Sequence, residues 1–127
     1  ELKDLINENY QNYRIMHMLI KTFYIDEKKY LYFEDDLDGK TLSIEVKFIC
    51  INENFTSQIE IIMKKFQIKI IKYLDKNYII NFFKNEKIEF PEMIYKIDSG
   101  CNNNEIALVP KSKKNIGFFE KFFQLFS

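Results

Sequence analysis

Arginine, histidine and cysteine are scarce in this chain: Arg14 and His17 stand alone, and Cys50 and Cys101 are the two cysteines among 127 residues. Neither charge is in excess, since 19 Lys and Arg residues balance 19 Asp and Glu. A balanced chain has no global positive field, and nucleic-acid binding is dominated by Lys and Arg neutralising phosphates, so no nucleic-acid partner is expected. The cysteines lie far apart, which excludes the close pairs of zinc and redox motifs. Cys50 is expected as a small buried hydrophobe in a strand, and reduced thiols without a signal peptide point to the cytoplasm. His17, between Met16 and Met18 with no second His or Cys nearby in sequence, is expected to be structural rather than catalytic or metal-binding. No apolar run reaches the roughly 18 residues that span a bilayer, so a soluble or peripheral protein is expected. The first residue is Glu1 rather than Met, which suggests a piece of a longer protein. A single arginine amid many Lys, Ile and Asn fits an AT-rich genome, so individual lysines carry little information.

What is present is apolar: 46% hydrophobic residues, 17% aromatic, enough to fill the core of one domain, or of one small domain and part of another. Leu2, Leu5 and Ile6 predict a short helix over residues 1–10. Residues Arg14 to Ile25 read as a strand buried on both faces, and Lys29 to Phe33 as a short aromatic strand running into an acidic turn marked by Asp38-Gly39. The clearest strand is Thr41 to Ile51. There Leu42, Ile44, Val46, Phe48 and Cys50 face a core, while Ser43, Glu45 and Lys47 face outward. Asn52 or Asn54 caps a helix over Glu53 to Phe66, whose Phe55, Ile59, Ile62, Met63 and Phe66 form one apolar stripe expected to pack on the sheet. Gln67 to Leu74 then predicts a second strand, and "DKNYIINFFKN" a short helix. A polar stretch at 85–91 suggests a boundary, giving a strand-helix-strand-strand module at 1–85 and a partial second domain at 86–127. The latter is expected to open with a hairpin, Met93 to Ile97 and Glu105 to Val109 across "DSGCNNN". The fold class is α+β, a small mixed sheet packed by one or two helices.

Few groups suggest chemistry. Glu34, Asp35, Asp36 and Asp38 lack the spacing and closing Glu of a calcium loop and read as a solvated turn. In "KIDSGCNNNEIALV" a strand ending in Asp98 and a small polar turn could cradle a phosphate with backbone N–H groups, or be a plain hairpin. Phe118, Phe119, Phe122, Phe123 and Phe126 share one helical face behind Lys111, Lys113 and Lys114, the pattern of an in-plane membrane anchor or of a core segment. The strand-helix-strand centre carries no catalytic groups. A protein that works by contact, not an enzyme, is therefore expected, with Ser43, Glu45, Lys47 and the turn at 35–40 as the partner-facing surface.

The order of these elements resembles a known family, the bacterial actin-like cell-division protein FtsA. "YRIMHMLIKTFYIDE" is similar to that family's Arg-hydrophobic-His-hydrophobic segment, "DLDGKTLSIEVKFI" to its strand, and the Phe55 to Phe66 helix with "QIKIIKYL" to the helix and strand that follow. Together they cover residues 1 to about 83, the family's inserted interaction module. "MIYKIDSGCNNNEIALV" is similar to the family's second phosphate loop, with Asp98, Gly100 and Glu105 matching and Asn102 and Asn103 in the turn. Cys101 and Asn102 replace glycines and add Cβ atoms where backbone must approach phosphate, so ATP is implied only for a complete family member and no cofactor for this chain. The resemblance implies a membrane-associated scaffold of the division ring, at the inner face of the cell membrane. Its partners would be FtsA protomers, other division proteins and, for the complete protein, the ring protein FtsZ. The pilus-assembly adaptor PilM shares the actin-like body and is the alternative within the fold. A small membrane-surface protein anchored by the Phe-rich tail is the alternative outside it.

Overall fold

Thirteen residues from Tyr13 to Ile25 form β1, the strand on which the rest of the sheet is built. The computed structural model describes residues 2–32 and 36–106. Over them the chain is α+β: α1 (Leu2–Asn9), β1, β2 (Lys28–Tyr30), β3 (Leu42–Asn52), α2 (Glu53–Lys65), α3 (Lys76–Phe82) and α4 (Phe90–Asp98). The sheet order is β2-β1-β3. β1 pairs antiparallel with β2. With β3, Asp26 N–H meets the Thr41 carbonyl at one end and Glu53 N–H meets the Asn12 carbonyl at the other, so this pair is antiparallel too. Consecutive buried positions in β1, His17-Met18 and Thr22-Phe23, reflect cover on both faces, as its apolar run implies. In β3 the expected alternation holds, with Ser43, Glu45 and Lys47 exposed and the intervening residues half-buried.

The chain divides into two units, Glu1–His17 with Phe48–Ser99, and Met18–Lys47 with Gly100–Ser127. In the second, Ile20 and Phe23 are the buried centre, and Tyr30, Leu42, Ile44 and Ile106 pack around them. The β1-β2 turn places Asp26 and Glu27 at φ 47° and 68°, the left-handed pair that a two-residue hairpin needs. The Asp26 carboxylate then accepts the N–H groups of Lys40 and Thr41 and the Thr41 hydroxyl, at 2.9 to 3.2 Å, fixing the entry to β3. Those donors, the Thr41 N–H first, hold its carboxyl below the usual range. A short pairing beyond β2 covers more of β1, with Ile20 N–H donating to Asn104 O and Ile106 N–H to Met18 O.

In the first unit Ile79, Phe83 and Ile97 form the buried centre, surrounded by Leu74, Tyr78, Ile88, Phe90, Met93 and Ile94. Burying each large side chain contributes roughly 1.5–3 kcal/mol, so three of them hold α3 against α4. Asp75 caps α3 through the Tyr78 N–H at 2.6 Å.

Three expectations about elements are corrected. Met93–Ile97 is not a hairpin strand but part of α4, because Phe90, Met93, Ile94 and Ile97 recur at i, i+3, i+4 and i+7 with Pro91 in the first turn. The second arm of that hairpin is present only as a Leu19-Glu105 bridge, and 107–109 lie outside the described residues. Gln67–Leu74 is extended without belonging to a described strand. The stripe of α2 does not pack as expected: Phe55, Ile62 and Phe66 are 55%, 52% and 70% exposed, and the fully buried residue is Thr56. At 100° per residue, turning Thr56 inward rolls the helix by about 80° from the orientation its hydropathy implies. The stretch 85–91, expected as a boundary, lies inside the first unit and runs into the first turn of α4.

Candidate functional site

The lone arginine organises the most connected polar cluster of the first unit. Arg14 Nη1 donates to Glu60 Oε1 at 2.6 Å, and its guanidinium lies 5.7 Å from the centre of the Tyr73 ring. The Tyr73 hydroxyl donates to the same Glu60 oxygen at 3.1 Å and lies 3.4 Å from the Thr56 carbonyl oxygen. β1, α2 and the extended segment are thereby tied at one point. The bonds from Arg14 and Tyr73 hold the Glu60 carboxyl below its usual value, while burial and then Glu60 push the Tyr73 phenol up.

Beside this cluster a cleft of about 410 Å³ is lined by Glu60, Lys64, Gln67, Ile68, Lys69 and Ile70. Its floor is shaped by the end of α2. Gln67, at φ 59°, and Ile68 send their N–H groups to the Lys64 and Met63 carbonyls, which closes the helix in a Schellman turn. Around the cleft, apolar side chains meet water: Phe66 is 70% exposed, Ile68 53% and Ile71 92%. From Ile61 to Leu74 the sequence holds Lys64, Lys65, Lys69 and Lys72 and no acid. Of these, Lys72 is held by Asp98 at 2.7 Å. A surface of exposed Ile and Phe edged with lysines offers hydrophobic contact and cationic charge.

His17 is a core residue, 1% exposed. Its Nε2 accepts the Asp75 N–H at 2.8 Å and its ring lies 4.5 Å from that of Tyr78, so it helps to seat the start of α3. Cys50 is half-buried, and burial raises its thiol pKa.

The residues expected to cradle phosphate are accounted for by other contacts. Asp98 ends α4 and binds Lys72, and Gly100, at φ 84°, follows the helix cap Ser99 as a left-handed terminator. Asn102 accepts the Asn104 N–H through its side chain at 2.9 Å, a local turn leading to residues 104–106, and Asn103 is exposed. The strand-turn-strand frame expected for a phosphate loop is replaced by a helix and its stop. Ser43, Glu45 and Lys47 share the exposed face of β3, where Glu45 accepts the Thr22 hydroxyl at 2.9 Å and lies 3.7 Å from Lys21 Nζ. Asp36 and Asp38 are exposed, whereas Glu34 and Asp35 lie outside the described residues, as do Phe118, Phe119, Phe122, Phe123 and Phe126. Among the described residues no group of acidic, His and Cys side chains is arranged to hold a metal, and no helix is long and apolar enough to cross a membrane.

Sequence reasoning passed over Arg14, Thr56, Glu60 and Tyr73 as a set. The available signals were the uniqueness of Arg14 and the carboxylate of Glu60 set in the apolar run Ile59–Ile62. No protein-family model, no curated protein and no solved structure matches the chain.

Proposed function

We propose that this chain is a non-catalytic protein-contact module, and that its working surface is the flank of α2 with the extended segment that follows it. The observation that carries the proposal is the outward position of Phe55, Ile62, Phe66, Ile68 and Ile71, each at least half exposed, on a framework fixed from behind by the Arg14, Glu60 and Tyr73 cluster. Exposed large apolar residues grouped on one element and rimmed by polar groups are a common sign of a binding surface. The lysines from 64 to 72 suit a partner with an acidic, amphipathic segment.

The narrower form of this proposal is a division protein of the FtsA type, peripheral at the inner face of the membrane. It is supported by the order and pattern of β1, β3 and α2. The strand over 67–74 and the phosphate hairpin, which the resemblance also used, do not form among the described residues.

A photo-crosslinking amino acid at position 66 or 71, expressed in the source cells, tests the proposal. Adducts to a protein are expected from these positions and not from exposed Asn81 on α3. Adducts to lipid, or none above the Asn81 background, contradict it.

A further inference from the structure

We infer that the outer edge of β3 is a self-association edge, on which a second copy of this chain adds its own β3 antiparallel with Val46 opposite Val46. β3 closes the sheet order, so no described strand covers its outer side. The Asp26 N–H is received by the Thr41 carbonyl. Because residues of an antiparallel strand direct their N–H and C=O to alternate sides, Thr41, Ser43, Glu45 and Lys47 turn theirs toward β1, and Leu42, Ile44 and Val46 turn theirs outward. The side-chain bond between Thr22 and Glu45 fits the same register.

A long edge with outward peptide groups is a template for another strand, and proteins that avoid pairing block it with proline, bulges or unmatched charge. No proline occurs between Leu42 and Asn52, and the charges here are matched rather than unmatched. With Val46 on the two-fold axis, Glu45 of each copy stands opposite Lys47 of the other, giving two opposite-charge pairs. Those positions form a non-hydrogen-bonded pair, in which side chains approach most closely, while the two Val46 residues exchange both backbone bonds. Sliding the axis to Glu45 or Lys47 would set like charges against each other. Of these registers only the Val46 axis pairs opposite charges, so the charge pattern favours it. The Glu45 carboxylate meets Thr22 and Lys21 of β1 and still leaves the Glu45 side chain 52% exposed, open to Lys47 of a neighbour.

Sedimentation equilibrium of the 127-residue chain tests this. The expected mass rises with concentration from 15.5 kDa toward twice that value. Glu45→Lys and Lys47→Glu are each expected to weaken association tenfold or more, and an equimolar mixture of the two variants to restore it as a heterodimer. Val46→Pro removes an outward N–H and none facing β1, so it is expected to stay folded by circular dichroism and to be monomeric. Phe66→Glu, on the α2 surface, is expected to associate like the parent, which separates this inference from the contact function proposed above. A parent chain that remains monomeric into the millimolar range overturns the inference. So does a dimer that survives Val46→Pro, or a variant mixture that fails to reassociate.

Discussion

His17 shows how one side chain can decide where an element begins. Its Nε2 accepts the N–H of Asp75, the residue that caps α3, and so ties β1 to the start of that helix. His17→Phe keeps the aromatic volume beside Tyr78 and leaves that N–H buried without an acceptor. A loss of about 1–3 kcal/mol is expected, read as a lower midpoint in urea. Gln67 poses the opposite problem. It occupies the left-handed position closing α2 with a side chain that this conformation penalises, so Gln67→Gly is expected to stabilise the chain by roughly 0.5–1 kcal/mol in the same experiment. At Gly39 a Cβ would collide with Cγ2 of buried Ile25. Gly39→Ala is therefore expected to cost about 1–3 kcal/mol, because a branched side chain packed at its root has little room to yield.

At the scale of elements, the cluster of Arg14, Glu60 and Tyr73 makes α2 depend on a polar tie more than on its apolar stripe. Thr56→Ala, at the buried position, is expected to cost about 1–2 kcal/mol from the cavity and from the lost bond to the Glu53 carbonyl. Ile62→Lys, at the exposed one, should stay within about 0.5 kcal/mol. Thermal unfolding of both variants checks the roll of the helix directly. The tie also carries a pH dependence. The Glu60 carboxyl lies below its usual 4.5, so its stabilisation is fully present above that value and is lost as pH falls through the lower folded value. Glu60→Gln is expected to reduce the acid-limb slope of stability against pH.

Much of this level was legible in the sequence. β1, β3, α2 and α3 declare themselves by alternation, helical spacing and the Asn52 cap, whose side-chain Oδ1 accepts the Asn54 and Phe55 N–H groups. The roll of α2 was not legible, because the position it buries is a threonine, which hydropathy does not mark. Residues 67–70 alternate as a strand would, but alternation describes faces and does not guarantee an edge to pair with. α4 was in principle readable from its i, i+3, i+4, i+7 spacing, its early proline and its terminal glycine. Its polar flanks instead suggested a boundary and a hairpin. The candidate surface was the hardest to foresee, since Phe55, Ile62 and Phe66 look like core residues until the helix orientation is known.

For the whole molecule, the described chain carries two unlike surfaces. The α2 flank is apolar with a cationic rim and carries the proposed contact with an acidic partner. The β3 edge is self-complementary in charge and carries the inferred contact with a second copy. The two are separable by substitution, because Phe66→Glu alters one and Val46→Pro the other.

Binding at the α2 flank is read from the affinity of the partner captured through position 66, measured for the parent and for Ile71→Lys. Ile71 is 92% exposed, so its replacement should leave the melting temperature of the isolated chain unchanged. Affinity at least tenfold weaker is expected for the variant, a difference of about 1.4 kcal/mol. Unchanged affinity, with the chain equally folded, would contradict it.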